Sequence, residues 1–437
     1  AVLRKLLWGQ RRDVLLLTAT PVNNSLYDLY HLLRFFVRQD AFLADRGILS
    51  IKDRFDRAAR EDPASLSPDV LYPIIDATTV KRTRHFVKKH YAGDTIVLPD
   101  GKTATIVFPA PQAITVRYAV TGPLSDLFDL IDVLLDPDQG ARAISFARYT
   151  PELYLLGNGD LLDDGEARAA ATVGLLRSGL LKRFESSSYA FGRTLAKLVD
   201  EHVSFLAALD KGYVVRTELL RELSASDEAT FDDLLETSPE TEPAGEYDVK
   251  RLRAAVEADV AKLRSLLEGC RKITSAEDQK LATLVEALAA ISREAEDQST
   301  SDEDAQQKQK VIIFSFFADT VAYLRGELAR LAEADVRLAP YRNRIVAVAG
   351  SVDVEPTEYG RQRAVASFAP VSTESIDAPD LFDILVATDV LAEGVNLQQC
   401  RHIINFDVPW NPMRLVQRHG RIDRIGSPHA KVQLRTI

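Results

Sequence analysis

Four short apolar runs near the end of the sequence limit what this chain can fold into. They are separated by stretches of helical spacing and comprise residues 311–315, 345–349, 384–388 and 402–406. A short, continuous apolar run is typical of a strand that is buried on both faces of a parallel sheet. Strands that alternate with helices over about 130 residues predict a doubly wound α/β sheet.

The stretch that follows, residues 410–426, carries signals for both ends of a helix. Asn411 suits the N-cap, because its side chain can accept from the N–H groups of the first turn. Pro412 has a preset φ and lacks an N–H that the first turn would leave unused. Gly426 suits the left-handed residue after the last turn. We therefore predict one helix over this stretch.

Three polar side chains of the predicted helix share one face, because Gln417, Arg421 and Arg424 are spaced i, i+4 and i+7. Gly420 leaves a bare spot beside them that another surface can approach. Two guanidiniums and an amide suit a polyphosphate, since arginine offers planar donors that do not deprotonate. The alternative is a solvated basic face on a surface helix.

Residues 417–426 resemble motif VI of superfamily 2 helicase-type ATPases. The ending Ile-Asp-Arg-Ile-Gly and the preceding Trp-Asn-Pro are most similar to the SWI/SNF family of double-stranded DNA translocases, in its bacterial type. The resemblance implies that Arg421 and Arg424 act as arginine fingers, with Gln417 and Gly420 in the same site. A finger places positive charge on the γ-phosphate oxygens and can contribute ~10³–10⁵ in rate.

The same resemblance extends to two further motifs. The chain from Thr388 onward resembles motif V, and the apolar run that ends at Ser315 resembles motif IV. The resemblance implies that Thr388 and Ser315 contact nucleic-acid phosphates, and that Gly394 and Asn396 lie beside the nucleotide. Glu393 departs from the family, in which many members have an apolar residue at this position.

An earlier segment combines an apolar run with a hydroxyl-rich loop. Residues 13–17 predict a further buried parallel strand, and residues 26–36 predict the helix after it. The loop between them resembles motif III, and the resemblance implies that Thr18, Thr20 and Asn24 couple ATP hydrolysis to lobe movement. The alternative is a Thr/Asn turn that caps the following helix.

A dense basic cluster comes after this segment. It is similar to the basic block that follows motif III in SWI/SNF proteins, and the resemblance implies contacts with DNA phosphates. The alternative is a solvated face, which is what most charge runs are. The members of the cluster are Lys81, Arg82, Arg84, Lys88 and Lys89.

Two segments imitate nucleotide-binding motifs without satisfying them. Asp100-Gly101 lies between two apolar segments and predicts a β-hairpin. Gly101-Lys102-Thr103 is not a phosphate loop, because Ile96 stands where the first glycine belongs and a strand follows. Asp227-Glu228 does not end an apolar strand, as a magnesium-holding pair should. The sequence therefore lacks Walker A and Walker B motifs.

The middle of the chain predicts helices. Residues 121–295 show the spacing of amphipathic helices, and residues 180–191 resemble a block in bacterial family members for which the residues suggest no role. We predict three parts in this chain. They are the end of a first RecA-like lobe with a helical protrusion (1–118), a helical insertion with an acidic loop at 222–248 (119–300), and a second RecA-like lobe (301–437).

Composition sets outer limits on function. A net charge of −10 over 437 residues argues mildly against nucleic-acid binding, although the charge is uneven along the chain. Cys270 and Cys400 match no metal spacing and fit a reducing compartment, so we expect no metal site of this chain's own and a cytoplasmic location. The sequence contains no apolar run of about 18 residues, so it predicts no membrane span. The first residues show neither an initiator Met nor a signal-peptide cleavage site, and we expect the chain to begin inside a longer protein.

These features predict the carboxyl-terminal portion of an ATP-dependent double-stranded DNA translocase that remodels protein–DNA or polymerase complexes. ATP and Mg²⁺ are the expected cofactors, with most of their ligands in a preceding part of the parent protein. We therefore expect the chain alone not to hydrolyse ATP. Duplex DNA is the expected partner, together with a protein complex such as RNA polymerase or a phage-defence assembly. The alternatives are a strand-separating helicase and a catalytically silent helicase-like module for binding or scaffolding.

Overall fold

The computed structural model describes most of the chain and divides it into two compact units. The first unit comprises residues 1–108 and 409–417, and the second comprises residues 109–408 and 418–437. The described residues are 13–18, 21–22, 25–61, 67–81, 84–90, 94–97, 103–105, 108–156, 162–216, 240–350, 360–375, 377–391 and 394–437.

The first unit consists of short helices and a hairpin. Ser25 begins the first helix, because its side chain accepts from the Tyr27 N–H while Asp28 accepts from the Ser25 N–H. The first three helices share a small apolar core in which Phe55 and Ile74 are fully buried. The elements are α1 (Leu26–Leu33), α2 (Ile51–Arg60), α3 (Tyr72–Thr78), α4 (Arg84–His90) and the antiparallel pair β1 (Thr95–Val97) and β2 (Thr103–Thr105).

One prediction for this unit is wrong. Residues 13–17 do not form a buried strand, and the side chains of Leu15 and Leu17 are 83% and 87% exposed. A strand needs neighbours that take up its backbone hydrogen bonds, and no strand in the described residues pairs with this run. The predicted helix after it starts as expected at Leu26 and ends at Leu33, three residues early. The predicted hairpin is confirmed.

Most of the second unit between residues 123 and 309 is helical, as predicted for residues 121–295. Its core joins the apolar faces of four long helices, and Leu180, Phe191, Leu195 and Leu263 are fully buried there. A small antiparallel hairpin, β4 (Tyr213–Arg216) with β5 (Glu240–Pro243), was not predicted, and β5 lies within the stretch 222–248 that was expected to be an acidic loop. Residues 222–239 of that stretch lie outside the described residues. The helices are α5 (Pro123–Leu135), α6 (Leu162–Ser186), α7 (Ser188–Asp210), α8 (Val249–Arg271), α9 (Gln279–Gln298) and α10 (Asp302–Gln309).

A six-stranded sheet, parallel throughout, forms the rest of the second unit. The strand order is β3-β10-β9-β6-β8-β7. The four predicted strands are all present, which confirms the RecA-like doubly wound sheet. The strands are β3 (Ala110–Thr115), β6 (Val311–Phe314), β7 (Ile345–Val348), β8 (Ile384–Ala387), β9 (His402–Asn405) and β10 (Lys431–Thr436).

Helices cover both faces of the sheet, and the strand residues alternate between the two. Val311 and Ile313 of β6 pack with α9 and with α11 (Ala318–Ala334), whereas Ile312 and Phe314 pack with α12 (Arg361–Phe368) on the other face. Because each strand is buried on both sides, its sequence is a continuous apolar run.

The outer strand β3 was not predicted. It pairs with β10, so the sheet includes residues that precede position 118, where we had placed the end of the first lobe. Pro111 lies within β3, and proline is tolerated at a sheet edge because one side of such a strand makes no ladder hydrogen bonds. Among the helices of the described chain, none is long and apolar enough to cross a membrane.

Candidate functional site

The helix that carries the first motif VI residues is shorter than predicted. Helix α13 covers Pro412–His419. Asn411 caps it as expected: its side-chain oxygen accepts from the Met413 N–H at 2.9 Å, and its carbonyl accepts from the Arg414 N–H at 3.0 Å. The predicted continuation to Gly426 is wrong, because residues 420–426 form turns.

After the helix ends, the chain carries Ile422 into the core on the face of the sheet that α12 covers. Its side chain is fully buried, and the N–H groups of Ile422 and Asp423 both donate to the His419 carbonyl, at 3.2 and 3.0 Å. Gln417, Arg421 and Arg424 therefore do not lie on one face of a continuous helix. Gly426 has a φ of +85°, as its predicted left-handed conformation requires.

The turns after α13, residues 420–426, form what we call the arginine loop, and this loop lies against the motif V segment. The Arg421 guanidinium donates to the Val395 carbonyl at 3.0 Å, and the Arg421 carbonyl accepts from the Leu397 N–H at 3.2 Å. The exposed Arg424 guanidinium donates to the Asn396 side-chain oxygen. The structure thus brings together Arg421, Arg424 and Asn396, three of the predicted site residues.

Gly394 opens this segment with a φ of +76°, which only glycine adopts without strain. A Cβ added here would meet no atom within 4 Å, so the backbone conformation alone explains the glycine. Gly420 is the first residue after α13. Gln417 lies within the part of α13 that groups with the first unit.

Arg418 is the residue that sequence reasoning overlooked. Its side chain is fully buried, and its Nε donates to Asp389 Oδ1 at 2.5 Å. One terminal nitrogen, Nη1, donates to the Asp407 carbonyl at 3.0 Å and to Asn405 Oδ1 at 3.3 Å. The guanidinium also lies 5.2 Å from the centre of the Phe314 ring. Arginine three positions after Leu415 and four before Ile422 was a signal for burial, because that spacing marks an apolar face.

Thr388 ends β8 at the carboxyl edge of the sheet. Its side chain is only 9% exposed, and its N–H donates to the Val348 carbonyl at 3.2 Å. Asp389, the next residue, is the partner of Arg418. Ligands of parallel α/β sheets bind at this edge. The predicted phosphate contact of Thr388 stays a prediction.

The prediction for Ser315 does not fit its position. The residue is fully buried, and its hydroxyl donates to Asp407 Oδ2 at 2.6 Å. A side chain with no exposed surface cannot contact a nucleic-acid phosphate. Its role in this structure is to fix Asp407, which also accepts from the Phe316 N–H at 2.8 Å.

His419 lies beside this group in its neutral form. Its Nε2 is 3.2 Å from Asn405 Nδ2, and the Asn405 oxygen is directed to Arg418. The amide therefore donates to His419, whose Nε2 accepts. Burial, together with the charge of Arg418, lowers the pKa of His419 to about 4. The imidazole adds no positive charge to the site at neutral pH.

The remaining predicted residues belong to the first unit. Thr18 lies on an exposed segment outside any helix or strand, while Thr20, Asn24 and Arg82 fall outside the described residues. The ammonium group of Lys81, an exposed residue, is 5.0 Å from the centre of the Tyr72 ring. Arg84 lies at the start of α4, with its guanidinium 5.0 Å from the centre of the Phe108 ring. Both cations therefore rest on aromatic faces.

The donors of the arginine loop fit a nucleotide phosphate better than a metal ion. Two guanidiniums supply fixed donors for anionic oxygens. Within the described residues, no group of three or more His, Cys, Asp or Glu side chains is placed to hold a metal ion.

Comparisons with known proteins agree with this geometry. Residues 286–426 match the helicase conserved C-terminal domain. That range contains every residue of motifs IV, V and VI named above. The match supports the carboxyl-terminal part of a superfamily 2 helicase-type ATPase.

One relative and one solved structure extend the comparison. The chain is 28% identical over 215 residues to an uncharacterized ATP-dependent helicase, YqhH, of Bacillus subtilis (strain 168). The alignment covers 47% of this chain and 34% of that protein, so the chain spans about a third of the length of this relative. The crystal structure of the C-terminal part of the Fun30 ATPase domain is 15% identical, with a TM-score of 0.33, and the match covers 75% of this chain and 85% of that chain.

Proposed function

We propose that this chain is the carboxyl-terminal portion of a bacterial SWI/SNF-type, ATP-dependent double-stranded DNA translocase. The observation that supports it most is the meeting of Arg421 and Arg424 with the segment 394–397 at the carboxyl edge of a RecA-like sheet. In this reading the chain supplies the second lobe, and ATP with Mg²⁺ is held mainly by a first lobe. Bound ATP supplies the phosphoryl group that is transferred to water.

The arginine loop would stabilise the charge that develops on the phosphoryl oxygens. Arg421 is held by the Val395 carbonyl, and Arg424 is held by the side chain of Asn396. The Val395 carbonyl and the Asn396 side chain each offer a neutral oxygen. A guanidinium binds an anionic phosphate oxygen about twice as strongly, so each arginine can exchange this contact for phosphate.

Duplex DNA would lie on a separate basic track. We assign Thr388 and the cations Lys81, Arg82 and Arg84 to phosphate contacts, and we leave Ser315 out because it is buried. Thr18, Thr20 and Asn24 would couple hydrolysis to lobe movement. A translocase has to hold any sequence, and phosphate contacts position DNA without reading its bases.

We further propose the three-part division at residues 1–118, 119–300 and 301–437, with β3 as a strand that the first part contributes to the last. The protein partner would be a complex on DNA, and RNA polymerase and a phage-defence assembly stay alternatives. A cytoplasmic location follows from that role.

The test is ATP turnover by the full-length protein that contains this chain. We expect duplex DNA to stimulate phosphate release more than single-stranded DNA, without separation of a labelled duplex. The isolated chain, residues 1–437, should show no turnover, because it lacks the backbone N–H cradle and the lysine of a phosphate loop. Strand separation would favour the helicase alternative, and a full-length protein without turnover would favour the scaffold alternative.

A further inference from the structure

The junction between α6 and α7 lies inside the block at 180–191 to which the sequence assigned no role. Ser186 is the last residue of α6, and its side chain has no exposed surface. Its hydroxyl donates to Asp407 Oδ2 at 2.6 Å. This buried hydroxyl, which also lies 2.8 Å from Thr320 Oγ1, thus joins the helical insertion to the carboxyl edge of the sheet.

Asp407 accepts hydrogen bonds from three donors in two separate parts of the chain. The hydroxyls of Ser186 and Ser315 both donate to Oδ2, each at 2.6 Å, and the Phe316 N–H donates to Oδ1 at 2.8 Å. Since each hydroxyl has a single proton, the 3.3 Å contact between Ser186 and Ser315 adds no further hydrogen bond. The orientation of this carboxylate therefore depends on Ser186.

Arg418 is the next residue in the chain of contacts. Its Nη1 donates to the Asp407 carbonyl, and its Nη2 lies 3.9 Å from Asp407 Oδ1. Within the described residues, that Nη2 atom has no hydrogen-bond partner. Arg418 precedes the arginine loop directly, and its carbonyl accepts from the Arg421 N–H at 3.1 Å. A continuous chain of contacts therefore links Asp407 to the backbone that carries Arg421.

The junction is also held from the side of α9. Lys280 donates from Nζ to the carbonyls of Glu185 and Ser186, at 2.6 and 3.2 Å, which are among the last carbonyls of α6. Its ammonium lies 4.4 Å from the centre of the Phe406 ring, next to Asp407 in sequence. These contacts fix the end of α6, so that the Ser186 hydroxyl meets Asp407 in one geometry.

We propose that Ser186 is a positioning residue, which through Asp407 and Arg418 sets the geometry of the arginine loop. The inference rests on the proposed function only where it concerns ATP turnover. Without the hydroxyl, the buried Asp407 Oδ2 keeps, among the described residues, only the Ser315 hydroxyl as a donor. The carboxylate then turns toward Arg418 Nη2, the nearby donor in need of a partner, because an unsatisfied buried charge is costly. Arg418 follows, and the arginine loop shifts with it.

The direct test is hydrogen exchange on this chain. Ser186→Ala should speed exchange of the Arg421 and Leu397 N–H groups by about 2- to 30-fold, the range of couplings carried through packed networks. The matched control is Thr194→Val, which removes another buried hydroxyl, one that donates to the Ala190 carbonyl of its own helix at 3.2 Å. Ser186→Cys keeps a side chain of similar size but is a weak donor, and it should behave like Ser186→Ala.

The second test is ATP turnover in the full-length protein. Ser186→Ala should lower kcat by about 2- to 30-fold and leave KM for ATP unchanged, whereas Thr194→Val should change neither. Parent-like exchange in both Ser186 variants, or equal changes in Thr194→Val, would overturn the inference. A full-length parent protein without turnover would refute the proposed function, and the exchange experiment would still decide the role of Ser186.

Discussion

Arg418 Nε lies 2.5 Å from Asp389 Oδ1, and this ion pair joins the end of helix α13 to the residue after Thr388. The arginine is fully buried, and Asp389 is largely so. The pair thus ties the candidate phosphate-binding end of β8 to the start of the arginine loop. It also explains why the stretch 417–426 contains an arginine, Arg418, that does not face solvent.

Breaking this pair should destabilise the fold. We expect Arg418→Ala to lower the free energy of unfolding by about 3–5 kcal/mol, because it removes the buried guanidinium that is paired with the Asp389 carboxylate. Urea unfolding of the chain measures this loss. Arg342→Ala is the control, since Arg342 pairs with Glu333 on the surface and should cost less than about 1 kcal/mol. Equal losses in the two variants would contradict a buried pair.

Arg424 should act on the transition state. In the full-length protein, Arg424→Ala should lower turnover by about 10³- to 10⁵-fold while nucleotide affinity stays nearly unchanged, because a finger acts on charge that develops during transfer. Steady-state kinetics and nucleotide titration separate the two effects. Arg330→Ala, which removes an exposed arginine paired with Glu327, is the control and should change neither. A parallel loss of affinity would make Arg424 a ground-state ligand.

The basic cluster should bind DNA through salt-sensitive contacts. We expect the double variant Lys81→Glu and Arg82→Glu to weaken duplex binding and to flatten the dependence of log K on log salt by roughly two units, since each phosphate contact contributes about 0.9.

Titration of a labelled duplex at several salt concentrations measures both effects. The matched control reverses an adjacent exposed pair at the end of α8, Arg271→Glu and Lys272→Glu, with the same change in net charge. If the two double variants behave alike, the cluster at 81–89 is an ordinary solvated face.

His202 should make stability depend on pH. Burial lowers the pKa of His202 to about 4, against about 6.5 in the unfolded chain. The unfolded state therefore takes up the proton first, and the stability present above pH 6.5 is lost as the pH falls toward 4. Between pH 7 and pH 5 this residue should account for a loss of about 2 kcal/mol.

Urea unfolding at both pH values tests this expectation with His202→Phe, which fills a similar volume without titrating. The loss of stability from pH 7 to pH 5 should be smaller in the variant by that amount. His402, His419 and His429, whose pKa values are also lowered mainly by burial, keep a remaining dependence of the same sign. The exposed His85, changed to Phe, serves as the control. If His202→Phe loses as much stability between pH 7 and pH 5 as the parent does, His202 is not the source of this pH dependence.

Sequence patterns predicted the strands that are buried on both faces of the sheet, because such strands are continuous apolar runs. Strand β6 was expected at 311–315 and covers Val311–Phe314. The run at 13–17 has the same pattern but forms no strand, because pairing with neighbours is not encoded in the run itself. Strand β10 was overlooked although Val432 and Leu434 alternate with polar residues, which is the period of a strand.

The residues of the candidate site were predicted from the sequence, but their arrangement was not. Arg421 and Arg424 lie on a loop that contacts the segment of Gly394 and Asn396, yet the expected helical face is absent because the helix ends at His419. The contacts of Ser186 with Asp407 span more than 200 positions and leave no periodic trace in the sequence. Such long-range polar contacts become visible only when the fold is known.

The pairing of β3 with β10 has a consequence for how the protein is made. The paired residues are about 320 positions apart, and at roughly 5–20 residues per second β3 leaves the ribosome about 16 to 64 s before its partner exists. An unpaired strand edge in a nascent chain invites pairing with other chains. The sequence of β3, Ala-Pro-Gln-Ala-Ile-Thr, limits that hazard: its proline lacks an N–H donor, and Ile114 is the one large aliphatic side chain of the strand. The features that make β3 hard to predict from the sequence therefore also lower its tendency to pair with other chains before β10 is synthesised.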